Sequence, residues 1–220
     1  MNRTAHHSPA PELDAAARHY FGDRLDLARR YAELLATDGV VRGLIGPREA
    51  PRLWDRHLLN SVAVAERIPH GVSVIDVGAG AGLPGVPLAI ARPDLTVTLL
   101  EPQLRRTVFL DQARVALSLD NVTVLRCRAE ESAGRVTPAD VVTARAVAPL
   151  DRLVRWCLPL TAADGRVLAI KGAAAAEEVA IHSAAIRRAG GSDPVVCHCG
   201  EGILEEPARV VQVLRRRGPR

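Results

Sequence analysis

The sequence predicts an α/β fold: a seven-stranded, mostly parallel sheet with a terminal antiparallel hairpin, preceded by a helical extension. Three observations predict it. Before Gly71 apolar residues recur at helical spacing, and after it short β-branched runs alternate with helical stretches. Alternation of that kind buries a parallel sheet between two helical layers. The last two runs are joined only by Gly200 to Pro207, so they pair antiparallel without a crossover helix.

The elements follow in order. Pro11 to Tyr20 forms a first helix, stopped near Gly22. Asp23 caps a second, with Leu25, Ala28, Ala32 and Leu35 on one face and Gly39 after its end. A connector rich in Gly and Pro, Gly43 to Pro47, leads to a third helix. Pro51 suits its first turn. It runs through Leu53, Trp54, Leu58, Val62 and Ala65 to Pro69. Strands are expected at 72–77, 95–100, 122–126, 140–143, 166–170, 195–198 and 210–214. Helices are expected at 85–91, 103–117, 150–158 and 174–189. The chain thus divides into a disordered lead-in (1–10), a helical extension (11–70), an α/β domain (71–214) and a basic tail (215–220).

Composition sets bounds on function. At 220 residues, 48% hydrophobic and 25% charged, the chain can build a sizeable core and is not a disordered polymer. It has no run long enough to span a bilayer and no export signal. The net charge of +4 equals that of Arg215, Arg216, Arg217 and Arg220, so the body is close to neutral. Lys171 is the sole lysine. Arginine suits phosphate and guanine edges, which leaves RNA binding open. Cys127, Cys157, Cys197 and Cys199 form no paired zinc motif, and free thiols fit a reducing cytoplasm. No metal is expected.

The most informative segment is Asp76-Val-Gly78-Ala-Gly80-Ala-Gly82-Leu83-Pro-Gly85, between a strand and a helix. Glycines there let the backbone turn tightly and approach a ligand. Gly80 to Gly85 satisfies a dinucleotide pattern, with Glu101 about twenty residues on. The competing reading starts at Asp76 and is the first motif of the seven-stranded, Rossmann-like fold that binds S-adenosylmethionine (SAM) and transfers its methyl group. In that reading Asp76 acts on the amino-acid end of SAM, and Glu101 accepts from the ribose hydroxyls. Ala129 and Glu130 read the adenine edge, and Arg145 at the fourth strand end faces the methyl. With the terminal hairpin, these features favour SAM over NAD.

Together with Arg56-His57-Leu-Leu-Asn60-Ser61, Thr143-Ala-Arg145-Ala146 and Ile170-Lys171-Gly172, the glycine turn and its Leu-Pro-Gly extension resemble the ribosomal RNA small subunit methyltransferase G family, also called glucose-inhibited division protein B. The resemblance covers about residues 23 to 214. It implies SAM-dependent methylation of N7 of guanine 527 in 16S rRNA, with Gly78, Leu83, Ala129, Glu130 and Arg145 as SAM contacts. Partners implied are 16S rRNA or a small-subunit particle, for a cytoplasmic monomer with no membrane association. Asn60 stands where the family has Asp.

Guanine N7 carries a lone pair and no proton, so its methylation needs no general base. Arg145 is the expected catalytic group. Arg56, His57, Trp54 and Lys171 are expected on the RNA, Trp54 as a stacking platform. Arg48, Arg52 and Arg56 recur on one helix face as a phosphate grip. The alternatives are a small-molecule SAM methyltransferase, which would want more aromatics than this chain has, and a non-catalytic SAM- or RNA-binding module.

Overall fold

The computed structural model describes residues 8–46, 48–132, 134–145 and 148–216. Residues 1–7 of the lead-in, Ala146, and Arg217 and Arg220 of the tail lie outside the described residues.

Helix α1 spans Pro11–Phe21, with Pro11 in its first turn, and ends at Gly22, whose φ is +49°. Helix α2 (Leu25–Leu34) starts one short turn later than expected, so Asp23 lies before it and makes no cap. Gly39 does not stop this helix. The chain continues through a wide turn, Leu35–Gly39, to Val41.

The third helix is a composite. It runs from Ala50–Arg52 through a wide-pitch segment, Leu53–Leu59, into α3 (Asn60–Val62) and a tight final turn, Ala63–Arg67. Ile68 is extended, as a residue before proline must be. The wide segment buries Leu53, Trp54, His57, Leu58 and Leu59.

Seven strands form one sheet in the order β3-β2-β1-β4-β5-β7-β6. They are β1 (Ser73–Val77), β2 (Thr96–Leu100), β3 (Val122–Leu125), β4 (Ala139–Arg145), β5 (Thr161–Lys171), β6 (Val195–Cys199) and β7 (Ala208–Leu214). Strands β1 to β5 pair in parallel, and β7 runs antiparallel to both β5 and β6. β4 and β5 are longer than expected. The register shifts between Ala139 and Val141, which lets β5 continue through Asp164-Gly165, a pair that reads as a turn.

Successive side chains of a strand face opposite layers. Val74, Val141, Leu168 and Val210 pack with the N-terminal helices, α4 (Gly85–Ala91) and α5 (Leu104–Ala116). Ile75, Val142, Val167, Ala169 and Val211 pack with α6 (Leu150–Cys157) and α7 (Ala175–Arg188). The residues of α1 and α2 belong to the same core as the sheet. No described helix is long and apolar enough to cross a membrane.

Candidate active site

Strand order reverses between β1 and β4: β2 and β3 lie on one side, β5 and the hairpin on the other. Their crossovers diverge there, which opens a crevice at the strands' carboxyl ends. A cleft of about 550 Å³ occupies it. Its wall includes Gly78, Gly80, Leu83, Glu101, Ala129, Glu130, Arg145 and His57.

The glycine turn is held from both sides. The N–H groups of Gly78 and Ala79 donate to Leu100 O at 2.9 and 3.0 Å. Glu101, 1% exposed, accepts from Gly80 N–H and from Gln103 N–H, each at 2.9 Å. Arg106 lies 3.7 Å from the same carboxylate. Glu101 thus ties the turn to the segment after β2.

Asp76 and Gly82 line no part of the cleft, a correction to the roles expected of them. Asp76 is fully buried and accepts the Gly85 N–H at 2.9 Å, fixing the entry to α4. A Cβ at Gly85 would stand 2.3 Å from Leu99 and 2.8 Å from Asp76 Oδ2, so glycine is what admits the carboxylate. Burial pushes Asp76 up to about 7, against the lowering effect of Gly85 N–H, Arg145 and Thr143. Gly82, with φ +97°, packs instead of opening to a ligand: a Cβ there would meet Val86 at 2.6 Å and the Tyr31 hydroxyl at 2.9 Å.

Arg145 ends β4 inside the cleft. Its guanidinium donates to His57 Nδ1 at 2.8 Å and to Arg56 O at 3.3 Å. Among the described residues no carboxylate stands within ion-pair distance of it. His57 Nε2 faces Glu49 Oε2 at 3.0 Å. Burial and then Arg145 depress His57 below the usual imidazole range, and Glu49 partly offsets them. Glu49, in the connector before the composite helix, gave no periodic signal in the sequence.

Two residues expected on RNA, Trp54 and Lys171, are placed differently, and Arg56 stays exposed beside the cleft's Arg145. Trp54 is 6% exposed and packs edge-on against Phe21 with ring centroids 6.3 Å apart, so neither ring face is open to a base. Lys171 donates to Glu178 at 2.7 Å and Ala148 O at 2.9 Å, with its side chain 7% exposed; it ties β5 to α7. Arg56 is exposed at 3.7 Å from Glu49 and supplies the carbonyl that holds Arg145. The aromatic side chain that does reach the cleft is Trp156 on α6, with the Arg152 guanidinium 4.7 Å over its ring. Of the arginine stripe, Arg52 is paired with Asp55 at 3.1 Å.

Comparison with known proteins bears on this site. The family model described as GidB, rRNA small subunit methyltransferase G, matches residues 24–206. The chain belongs to the GidB family. It is 63% identical over 216 residues to ribosomal RNA small subunit methyltransferase G of Salinispora tropica, covering 96% of this chain and 89% of that one. It is 55% identical to the protein of the same description from Streptomyces avermitilis, covering 97% and 88%. For that of Corynebacterium glutamicum the identity is 53%, covering 92% of each. Among solved structures, mitomycin 7-O-methyltransferase superposes with a TM-score of 0.60 at 20% identity, covering 94% of this chain and 69% of that one. Precorrin-6y C5,15-methyltransferase from Geobacter metallireducens gives 0.52 at 15% identity, covering 78% and 90%. These two share the GidB chain's fold. The mostly parallel seven-stranded sheet with a terminal hairpin expected from sequence is that of this fold.

Proposed function

We propose that this cleft performs SAM-dependent methylation of ribosomal RNA, at N7 of guanine 527 in 16S rRNA. The observation that carries the reading is Arg145: a half-buried guanidinium at the end of β4 without a carboxylate partner among the described residues, in one cleft with the glycine turn and Glu101. A partly desolvated cation held only by neutral acceptors lacks a countercharge. An incoming carboxylate, or the electron-rich edge of guanine, would offset that lack. The relatives' description as rRNA methyltransferases supplies the substrate class.

The wall fits SAM. Glu101 presents a carboxylate to a diol, and the backbone of Gly78 and Gly80 leaves room beside it. Arg106 Nε, next to Glu101, is buried with no hydrogen-bond partner. Ala129 and Glu130 form the adenine end, Leu83 the floor. Asp76 and Gly82 hold the turn without touching the ligand.

When bound, SAM supplies a sulfonium methyl that the N7 lone pair takes by in-line displacement, with no prior deprotonation. The chain's contribution is therefore positional. Holding reactants in near-attack geometry is worth up to about 7–11 kcal/mol in model systems. Arg145 orients the reacting groups, and Arg56 and His57 stand on the substrate side. Arg is the usual bidentate partner of the guanine O6/N7 edge. The chain works as a cytoplasmic monomer, without metal, on 16S rRNA or a small-subunit particle.

The test is reaction of the purified chain with SAM and unmodified 16S rRNA or particle, mapped by mass spectrometry. A single 7-methylguanine is expected. Transfer to small metabolites alone overturns the reading.

A further inference from the structure

We propose that Glu49 is a positioning residue of this site, acting through His57 to aim Arg145 into the cleft. The proposal deepens the methyl-transfer reading and rests on it. The chain of contacts dictates a direction. Guanidinium has donors only. The His57 nitrogen that meets Arg145 at 2.8 Å is therefore an acceptor, so Nδ1 carries no proton. The neutral ring then holds its proton on Nε2 and donates it to Glu49 at 3.0 Å. A carboxylate on Nε2 selects this tautomer.

The imidazole also works as a spacer. A carboxylate placed directly against Arg145 would neutralise it. Here its two acceptors, His57 Nδ1 and Arg56 O, are uncharged, and both come from the wide helical segment Leu53–Leu59. The cation is fixed in direction and its charge stays available to a ligand. Glu49, His57 and Arg145 all line the cleft. The charged groups facing His57 are Glu49 from the connector, Arg145 from β4 and Arg56 from its own segment. Protonating His57 removes the Nδ1 acceptor and sets a cation against Arg145, so acid releases the guanidinium.

The experiment combines nitrogen-15 NMR of histidine-labelled protein with single-turnover methylation of 16S rRNA between pH 5 and 8. Wild type shows His57 as the Nε2–H tautomer; Glu49→Ala gives a tautomer mixture and a rate lower by about ten- to hundredfold. Glu49→Gln, whose amide oxygen still accepts the Nε2 proton, recovers most of both. In wild type the rate falls on acidification below the ordinary histidine range. Glu49→Ala moves that fall to lower pH, because Glu49 raises His57. In a His57→Asn background, whose Oδ1 replaces the Nδ1 acceptor, adding Glu49→Ala costs nothing further. An Nδ1–H tautomer in wild type, or an unchanged tautomer and rate in Glu49→Ala, overturns the proposal. A wild type inert on 16S rRNA sinks the functional reading instead, and the tautomer measurement still decides the Glu49–His57 pair.

Discussion

The Tyr31 hydroxyl, fully buried on α2, donates to the carbonyl oxygen of Ala81 at 2.7 Å. The helical extension thereby holds the glycine turn. Tyr31→Phe leaves that carbonyl without its donor in a dry site. A buried group left unpaired costs about 1–3 kcal/mol. Urea unfolding is expected to show a loss in this range, and calorimetry a severalfold weaker SAM affinity. Unchanged values in both would mean that the turn supports itself.

Gly85 carries a second prediction. Any Cβ there collides with Leu99 and with the Asp76 carboxylate. Overpacking of this kind costs about 1–3 kcal/mol. Gly85→Ala should lower the unfolding midpoint and loosen the start of α4, seen as faster amide exchange at Val86, Leu88, Ala89 and Ile90. A Gly85→Ala protein as stable as wild type would show that Asp76 has another place to go.

Asp76 gives a pH dependence whose sign is fixed. Its carboxyl titrates near 3.8 when free and at about 7 in the fold. Between those values the folded chain keeps a proton that the unfolded chain has released. Stability from this group therefore falls as pH rises from about 4 to about 7. Asp76→Asn cannot ionise and still offers an oxygen to Gly85 N–H. A tenfold difference in proton affinity between the folded and unfolded chain is worth about 1.4 kcal/mol. Wild type and variant should converge near pH 4, and the variant should be more stable by at least about 1 kcal/mol at pH 8. A constant difference across the range would place the titration elsewhere.

Much of the architecture was legible in the sequence because it depends on neighbours in the chain. Strand alternation, the helix after the glycine turn and the loop-joined hairpin are local signals. The site was legible in part. Gly78, Gly80, Leu83, Glu101, Ala129, Glu130 and Arg145 do line one cleft. Asp76 and Gly82 match the same motif by spacing. Their surroundings are set by Gly85, Tyr31 and Leu110, and spacing carries no trace of that packing. Glu49 sits in a connector with no period to mark it. Lys171 was a lone cation until Glu178, one helix later, was placed against it. Trp54 and Trp156 both lie in helical stretches, and only tertiary packing decides which of them faces the ligand.

That last difference yields a direct optical test. The chain has two tryptophans. Trp54 is sealed against Phe21, whereas Trp156 lines the cleft on α6, which packs against the Ala129–Glu131 turn. That turn is the adenine end of the proposed cofactor site, so SAM should alter the emission of Trp156. In Trp54→Phe protein a SAM titration is expected to change the fluorescence with the affinity found by calorimetry. In Trp156→Phe protein the signal should be nearly silent. Stacking of a base on an aromatic ring is worth about 1–3 kcal/mol, so Trp156→Ala should weaken SAM by about five- to 150-fold. Trp54→Ala should instead lower the unfolding midpoint, since it empties a packed position beside Phe21. A full response retained in Trp156→Phe would remove Trp156 from the cofactor wall.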